Sequence, residues 1–168
     1  EAAVSSLSPV AEALAHARRP LILTGYAGRN PESVTSLIEL AELIGAPVVT
    51  PASSCMNFPN THNLWGGITP NRYLSDADVV LIVDCDVPYI PADVTPQDDA
   101  QIFWIDMDPL KSNIPLFTFP ADLRIQANSA DALPVLVSSV RDALSADDIQ
   151  AHEERTGILA QLHGQRRA

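Results

Sequence analysis

Residues 21–34 read LILTGYAGRNPESV, and this stretch decides the fold. It begins with a short apolar run of the kind that forms a buried strand, and Gly25 and Gly28 then interrupt the apolar pattern. Asn30 can cap a helix, and Pro31 suits the first position of that helix. The stretch therefore predicts a strand, a tight turn and the start of a helix.

The helix that begins at Pro31 is followed closely by a second strand. Apolar residues recur at helical spacing up to Ile44, and Gly45 is expected to end the helix because glycine accepts the left-handed conformation. Pro47–Thr50 is then predicted as a strand. Strand, helix and strand in this order make one βαβ unit, in which the two strands lie parallel.

The rest of the chain repeats this alternation. Apolar runs predict strands at 79–83, 102–105 and 123–126, and helices are expected at 9–19, 71–77 and 131–144. The segment 51–70, rich in Pro, Ser, Asn and Gly, is predicted to be a loop. These elements indicate an α/β fold with three layers, a doubly wound and mainly parallel sheet of about five or six strands, Rossmann-like in type.

Composition excludes several classes of partner. The 168 residues include 21 acidic and 10 basic side chains, a formal charge of −11, which is the wrong sign for binding nucleic acid or an anionic membrane surface. The longest aliphatic run, Val79–Val83, is far too short to cross a bilayer. Cys55 and Cys85 lack the spacing of a zinc site and are expected to be free thiols in a reducing cytoplasm.

The turn after the first strand is a candidate phosphate site. Gly25, Tyr26 and Gly28 precede a helix N-terminus, where free N–H groups attract anions. A dinucleotide fingerprint needs G-x-G-x-x-G, and only two of its glycines are present. Both interpretations stay open at this point, a simple bend or an anion site.

Other candidates follow the later strands, because ligands of such sheets lie beyond the carboxyl ends of the strands. Paired carboxylates can act as acid and base or hold a metal, but they can equally cap turns. No nucleophile stands beside a base, and the four histidines are scattered, so no catalytic or metal-binding residue is assigned. The candidates at the later strand ends are Trp65, Gly66, Asp84, Asp86, Asp106 and Asp108.

Several blocks of the sequence together resemble the central domain of thiamine diphosphate enzymes of the acetolactate synthase type. The resemblance runs from about Ala17 to Leu144, and the order of its blocks is more specific than any one motif. The blocks read ARRPLILTGYAGRN, AELIGAPVVT, HNLWGGITPNRYLSDADVVLIVDCDVPYIP and IDMDPLKSNIPLFTFPADLRIQANSADALPVL.

The resemblance implies a role without catalysis for this part of the enzyme. In the family, the first domain carries a glutamate that activates thiamine diphosphate, and the third carries a Gly-Asp-Gly motif for magnesium and diphosphate. This chain has no Gly-Asp-Gly and is expected to be inactive alone, as residues 1–145 of a central domain with 146–168 as a polar linker or detached helix. Its partners would be the flanking domains of a longer polypeptide and further copies in a homo-oligomer.

Some members of the family bind FAD or another nucleotide in the central domain. By position, the facing segments here would be Gly25–Gly28, Trp65–Gly67, Asp84–Asp86, Asp106–Asp108 and Ala127–Asn128. Two carboxylates stand where flavin-binding members have a cationic stretch, and like charge disfavours a diphosphate there. The alternative to the family hypothesis is a free-standing FAD- or NAD-type dinucleotide-binding domain.

Overall fold

A six-stranded, all-parallel sheet forms the centre of the protein. The computed structural model describes residues 4–111, 113–114 and 119–167. The strand order β3-β2-β1-β4-β5-β6 is that of a doubly wound fold, which confirms the fold class predicted from the sequence. The strands are β1 Pro20–Thr24, β2 Val48–Val49, β3 Trp65–Gly67, β4 Val79–Val83, β5 Gln101–Asp106 and β6 Leu123–Gln126.

The most apolar stretch of the sequence forms the centre of the sheet. All five residues of β4 are buried, and Leu81 pairs in register with Ile22 of β1 and Phe103 of β5. A parallel strand covered on both faces has no solvent side, so it requires apolar residues at successive positions. The unbroken run Val79–Val83 therefore reflects its central place.

The two faces of the sheet are covered differently. On one face, α1, α2 and α3 pack against Ile22, Val48 and Leu81 in one core cluster. The other face, which includes Trp104, is covered by side chains of irregular segments, such as Leu74 and Tyr89. The helices are α1 Val4–Ala15, α2 Pro31–Ile44, α3 Ser129–Ala143 and α4 Ala146–Arg167.

Several predicted element boundaries are wrong. Helix α1 begins at Val4 and contains Pro9, because burial of Leu7 and Val10 offsets the backbone hydrogen bond that a proline cannot donate. The predicted loop 51–70 contains strand β3, whose pairing with β2 holds a sequence of low strand propensity. In place of the expected helix 71–77, a single 3-10 turn forms at Pro70–Arg72.

The predicted helix caps also differ from those observed. Asn30 precedes α2, but its side chain makes no cap hydrogen bond and instead lies 3.5 Å from Asn128 Oδ1. Asn128, and not the expected Asp131, caps α3 by accepting from the N–H of Ala130 at 3.1 Å. Gly45 ends α2 in the left-handed conformation, at φ 58°, as the sequence predicted.

Helix α4 packs against the α/β domain, and Arg155 and His152 are among the residues that attach it. The Arg155 guanidinium donates to the carbonyls of Gly45, Ile44 and Arg18 at 2.9, 2.6 and 2.7 Å. His152 contacts the carbonyl of Leu43 through Nδ1 at 3.0 Å. The segment is therefore a docked helix in this structure, and the division of the chain at residue 145 stays a prediction. Within the described residues, no helix has the length and apolar character to cross a membrane.

Candidate functional site

The candidate site lies where the strand order reverses, between β1 and β4. Both strands are parallel neighbours, so their carboxyl ends lie at one edge of the sheet. A crevice opens at this point in doubly wound sheets because the two connections leave in opposite directions. The segments after β1, β4 and β5 bring Tyr26, Asp84, Asp86 and Asp106 to this edge.

Backbone hydrogen bonds tie the ends of β1 and β4 together. The N–H groups of Gly25 and Tyr26 both donate to the carbonyl of Asp84, at 3.1 and 2.9 Å. Asp84 itself has φ 45°, a left-handed conformation that aspartate tolerates better than most residues. This conformation lets one carbonyl accept both bonds at the end of the strand.

Four side chains from three segments form a compact polar cluster beside this link. Lys111 Nζ lies 2.6 Å from Asp106 Oδ2 and 2.8 Å from Asp86 Oδ1. The Tyr26 hydroxyl lies 2.7 Å from Asp106 Oδ2 and 3.0 Å from Asp86 Oδ1, and it accepts from Lys111 Nζ at 2.5 Å. We call these four residues the Tyr26–Lys111 cluster.

Burial and hydrogen bonding fix the protonation states of the cluster. Burial raises the pKa of Tyr26, and the hydrogen bond to Asp106 raises it further, so its hydroxyl stays neutral and donates. Burial acts to lower the pKa of Lys111, but its hydrogen bonds to Asp106 and Asp86 prevail and raise that pKa. For Asp86, burial acts to raise the pKa, and bonds from Lys111 and Tyr26 outweigh it and lower that pKa. The four side chains therefore form a network of ion pairs and hydrogen bonds, and they do not present a separate general acid and general base.

A second polar chain links β4 to the N-termini of α2 and α3. Ser129 donates to Asp84 Oδ2 at 2.5 Å, and the hydroxyls of Ser129 and Ser33 lie 3.0 Å apart. The other oxygen, Asp84 Oδ1, is buried, has no hydrogen-bond partner among the residues that the structure describes and lies 3.8 Å from Arg29 Nη2. Asp84 and Arg29 line a cavity of about 420 Å³ between the two helix N-termini. Burial is the main reason that the pKa of Asp84 is raised.

The first strand-to-helix turn packs closely against the loop that contains Met56. A Cβ added at Gly28 would lie 1.9 Å from the carbonyl oxygen of Met56, so only glycine allows this approach. Gly25 is also close-packed, since its Cβ would meet Cys85 Sγ at 3.3 Å. Both glycines therefore allow close packing between segments of the protein itself.

Three predicted site residues lie apart from the cluster or serve a turn. Trp65 and Gly66 are in β3 at the far edge of the sheet, where the Trp65 indole nitrogen is 3.5 Å from Thr50 Oγ1. Asp108 accepts from the N–H of Lys111 at 3.1 Å and orders the turn after β5. Of the nine predicted residues, only Tyr26, Asp86 and Asp106 therefore meet in the Tyr26–Lys111 cluster.

Three residues of this region are not among those predicted from the sequence. One is Lys111, although it is the only lysine in the chain and follows two aspartates of the candidate site. Asn57 and Ser129 are 1% and 2% exposed, and no local pattern distinguishes them from ordinary loop and cap residues. In the part of the chain that the structure describes, no three His, Cys, Asp or Glu side chains converge as metal ligands.

Strand order and the polar groups at the reversal point define a doubly wound α/β domain of the Rossmann-like class. Residues 7–136 match the family described as "Thiamine pyrophosphate enzyme, central domain", and the chain belongs to that family. This finding confirms the family resemblance at the level of thiamine diphosphate enzymes.

One known sequence and two solved structures are also similar to this chain. The chain is 37% identical over 83 residues to a sulfoacetaldehyde acetyltransferase from Castellaniella defragrans, an alignment that covers 45% of this chain and 14% of that protein. The fold is similar to a protein described as a thiamin diphosphate-dependent enzyme from Mycobacterium smegmatis, with TM-score 0.66 and 22% identity, and to a benzoylformate decarboxylase from Polynucleobacter necessarius, with TM-score 0.67 and 16% identity. Each of these structural matches covers 86% of this chain and 28% of the other chain.

Proposed function

We propose that this chain is the non-catalytic central domain of a thiamine diphosphate-dependent enzyme of the acetolactate synthase type. The observation that carries the proposal is the family match over residues 7–136, which spans the whole sheet from β1 to β6. The parent enzyme would decarboxylate a 2-oxo acid such as pyruvate and transfer the two-carbon unit to an acceptor. The name of the acetyltransferase relative supports a transfer of this size.

The role of the chain in that enzyme would be structural. Thiamine diphosphate, when bound, supplies the electron sink for decarboxylation. The carboxylates that a magnesium ion would need are engaged here, since Asp86 and Asp106 pair with Lys111 and Asp84 accepts from Ser129. These residues do not fit a magnesium–diphosphate site, so we assign cofactor binding to other domains of the parent enzyme.

Exposed apolar side chains support a packing role at one edge of the domain. They lie on the segments that follow the strands, at the carboxyl end of the sheet, and isolated domains seldom expose so many together. Within the segment 51–70, which was predicted to be a loop, Met56 is 60% exposed, whereas Phe58 is buried and stacks edge-to-face on His62. The exposed set at this edge is Met56, Ile68, Val87, Ile90, Met107 and Leu110.

We infer that this edge contacts flanking domains of the same polypeptide or another subunit of a homo-oligomer. The chain spans 14% of the acetyltransferase relative and 28% of each solved structure, so the relatives have much more chain to pack against such an edge. A cytoplasmic location fits the two cysteines. Cys85 is buried and unpaired, and burial raises the pKa of its thiol to about 12, which keeps it protonated and unreactive.

An activity comparison tests the proposal. The 168-residue chain and the product of its complete reading frame would each be assayed with pyruvate, thiamine diphosphate and Mg²⁺. We expect carbon dioxide release from the complete product alone, and flanking sequence that includes the activating glutamate and the Gly-Asp-Gly motif. Turnover of pyruvate by the 168-residue chain itself would refute the non-catalytic role.

A further inference from the structure

The Tyr26–Lys111 cluster occupies the place where a dinucleotide would bind in a doubly wound fold. That place is the crevice beyond the carboxyl ends of β1 and β4, next to the turn Gly25–Gly28.

The backbone of the first turn offers little to a diphosphate. A diphosphate is held at such turns by several free N–H groups. Here the N–H groups along the turn donate to acceptors of the protein itself, either carbonyl oxygens or the side-chain oxygen of Asn57. The N–H groups already engaged in this way belong to Gly25, Tyr26, Gly28, Arg29, Asn30 and Ser33.

The charge of the crevice also opposes a diphosphate. The carboxylates of Asp84, Asp86 and Asp106 carry three negative charges, and Arg29 and Lys111 carry two positive ones, so the formal sum is 2 − 3 = −1. The side chain of Lys111 is 5% exposed and saturated by its partners. The Lys111 ammonium is therefore not free to face an anionic ligand, and Arg29, which is 58% exposed, lies 3.8 Å from Asp84 Oδ1.

We propose that Tyr26 and Lys111 form an internal plug that closes the part of the dinucleotide crevice at Asp86 and Asp106, beside the cavity that Asp84 and Arg29 line. The ammonium group of Lys111 supplies from within the protein the positive charge that Asp86 and Asp106 require. The Tyr26 ring lies against both cations, with the Lys111 ammonium 5.2 Å and the Arg29 guanidinium 4.3 Å from its centroid. The plug joins the segments after β1, β4 and β5 into one rigid edge. The plug does not depend on which reaction the parent enzyme catalyses.

The single lysine makes the plug directly measurable. The only amines that a reagent such as isotope-labelled acetic anhydride can acetylate are Lys111 and the terminal α-amino group, and the two products are separated by peptide mass spectrometry. We expect Lys111 in the native protein to react at least about tenfold more slowly than in urea, because reaction requires local opening of the cluster. FAD, NAD or ADP at about 1 mM should leave that rate unchanged, since the plug leaves no space for them beside Lys111.

Substitutions show whether the slow acetylation of Lys111 comes from its contacts in the plug or from burial alone. The double variant D86N/D106N removes both charged partners and should accelerate acetylation of Lys111 at least about fivefold. The matched control D98N/D99N makes the same change of charge at two exposed aspartates and should leave the rate as in the wild type. Tyr26→Phe keeps the ring and removes only the hydroxyl, so it serves if the double variant does not fold, with an expected acceleration of about two- to fivefold.

Each outcome of the acetylation experiment either supports the plug or overturns it. Slow acetylation of native Lys111 that D86N/D106N or Tyr26→Phe releases supports the plug, as does a nucleotide that binds without changing the Lys111 rate. The proposal is overturned if Lys111 reacts as fast in the native protein as in urea. It is equally overturned if FAD, NAD or ADP binds with Kd below about 100 µM and alters the Lys111 rate, because the crevice would then admit the ligand.

Discussion

The side-chain oxygen of Asn57 accepts a hydrogen bond from the backbone N–H of Gly28 at 2.9 Å, across 29 positions of sequence. The amide nitrogen of the same residue donates to the carbonyl of Gly25 at 2.8 Å. One buried side chain thereby forms hydrogen bonds with backbone groups at both ends of the first strand-to-helix turn, and it holds this turn against the following loop. The turn is shaped by the protein interior at this point and needs no ligand to order it.

The first prediction concerns Asn57. Asn57→Ala should lower the free energy of unfolding by about 2–4 kcal/mol, because it leaves the half-buried N–H of Gly28 and the buried carbonyl of Gly25 without this partner. Urea denaturation followed by circular dichroism measures the change. The control Asn63→Ala, at an exposed position, should stay within about 0.5 kcal/mol of the wild type. Equal stability of the two variants would show that the turn does not depend on Asn57.

The second prediction contrasts two glycines. Gly28→Ala should destabilise the protein by about 2 kcal/mol or more, because the new Cβ meets the Met56 carbonyl oxygen and the backbone must move. Gly157→Ala should instead stabilise it by about 0.5–1 kcal/mol, because nothing lies within 4 Å of the added Cβ in α4 and alanine is the better helix former. Thermal unfolding of both variants should show shifts of Tm in opposite directions.

The third prediction concerns pH and Asp84. Burial raises the pKa of Asp84 in the folded protein, so the folded state binds its proton more readily than the unfolded state does. This residue therefore makes the protein less stable as pH rises from the unfolded pKa through the folded one. Asp84→Asn should remove that slope and raise stability at pH 7 by about 1 kcal/mol, because an amide can keep the bond from Ser129 without a buried charge.

Urea titrations between pH 4 and pH 8 would test this prediction, with Asp93→Asn as the exposed control. The control should follow the wild-type pH dependence. If Asp84→Asn is less stable than the wild type throughout this range, the ionised carboxylate is a net stabilising group in the folded protein and the interpretation of its burial is wrong.

The fourth prediction concerns the attachment of helix α4. Arg155→Ala should lower stability by about 2–3 kcal/mol, because three carbonyls near the C-terminus of α2 and the start of β1 lose a charged donor. Hydrogen exchange should accelerate at the α4 amides and less so in the sheet. Arg141→Ala removes an exposed pair with Glu39 and should cost about 0.5 kcal/mol or less. Unchanged exchange in α4 of the Arg155 variant would argue that other contacts hold the helix.

Sequence alone determined the main elements and the edge of the sheet that carries the polar groups. Unbroken apolar runs specified β1, β4 and β5, and Gly45 specified the end of α2, because these signals depend on burial and on local backbone conformation. Alternation of strands and helices then implied a parallel sheet, which brings Tyr26, Asp86 and Asp106 to a common edge.

Only the tertiary structure decided what these groups contact. Lys111 meets Tyr26 across 85 positions of sequence, and that meeting depends on the order and register of β1, β4 and β5, which no local pattern encodes. The same is true of Asn57, and of β3, whose strand conformation comes from pairing with β2 rather than from its own residues. Local propensity fixes which segments become strands, whereas the partners of a buried polar group are fixed by the packing of distant segments.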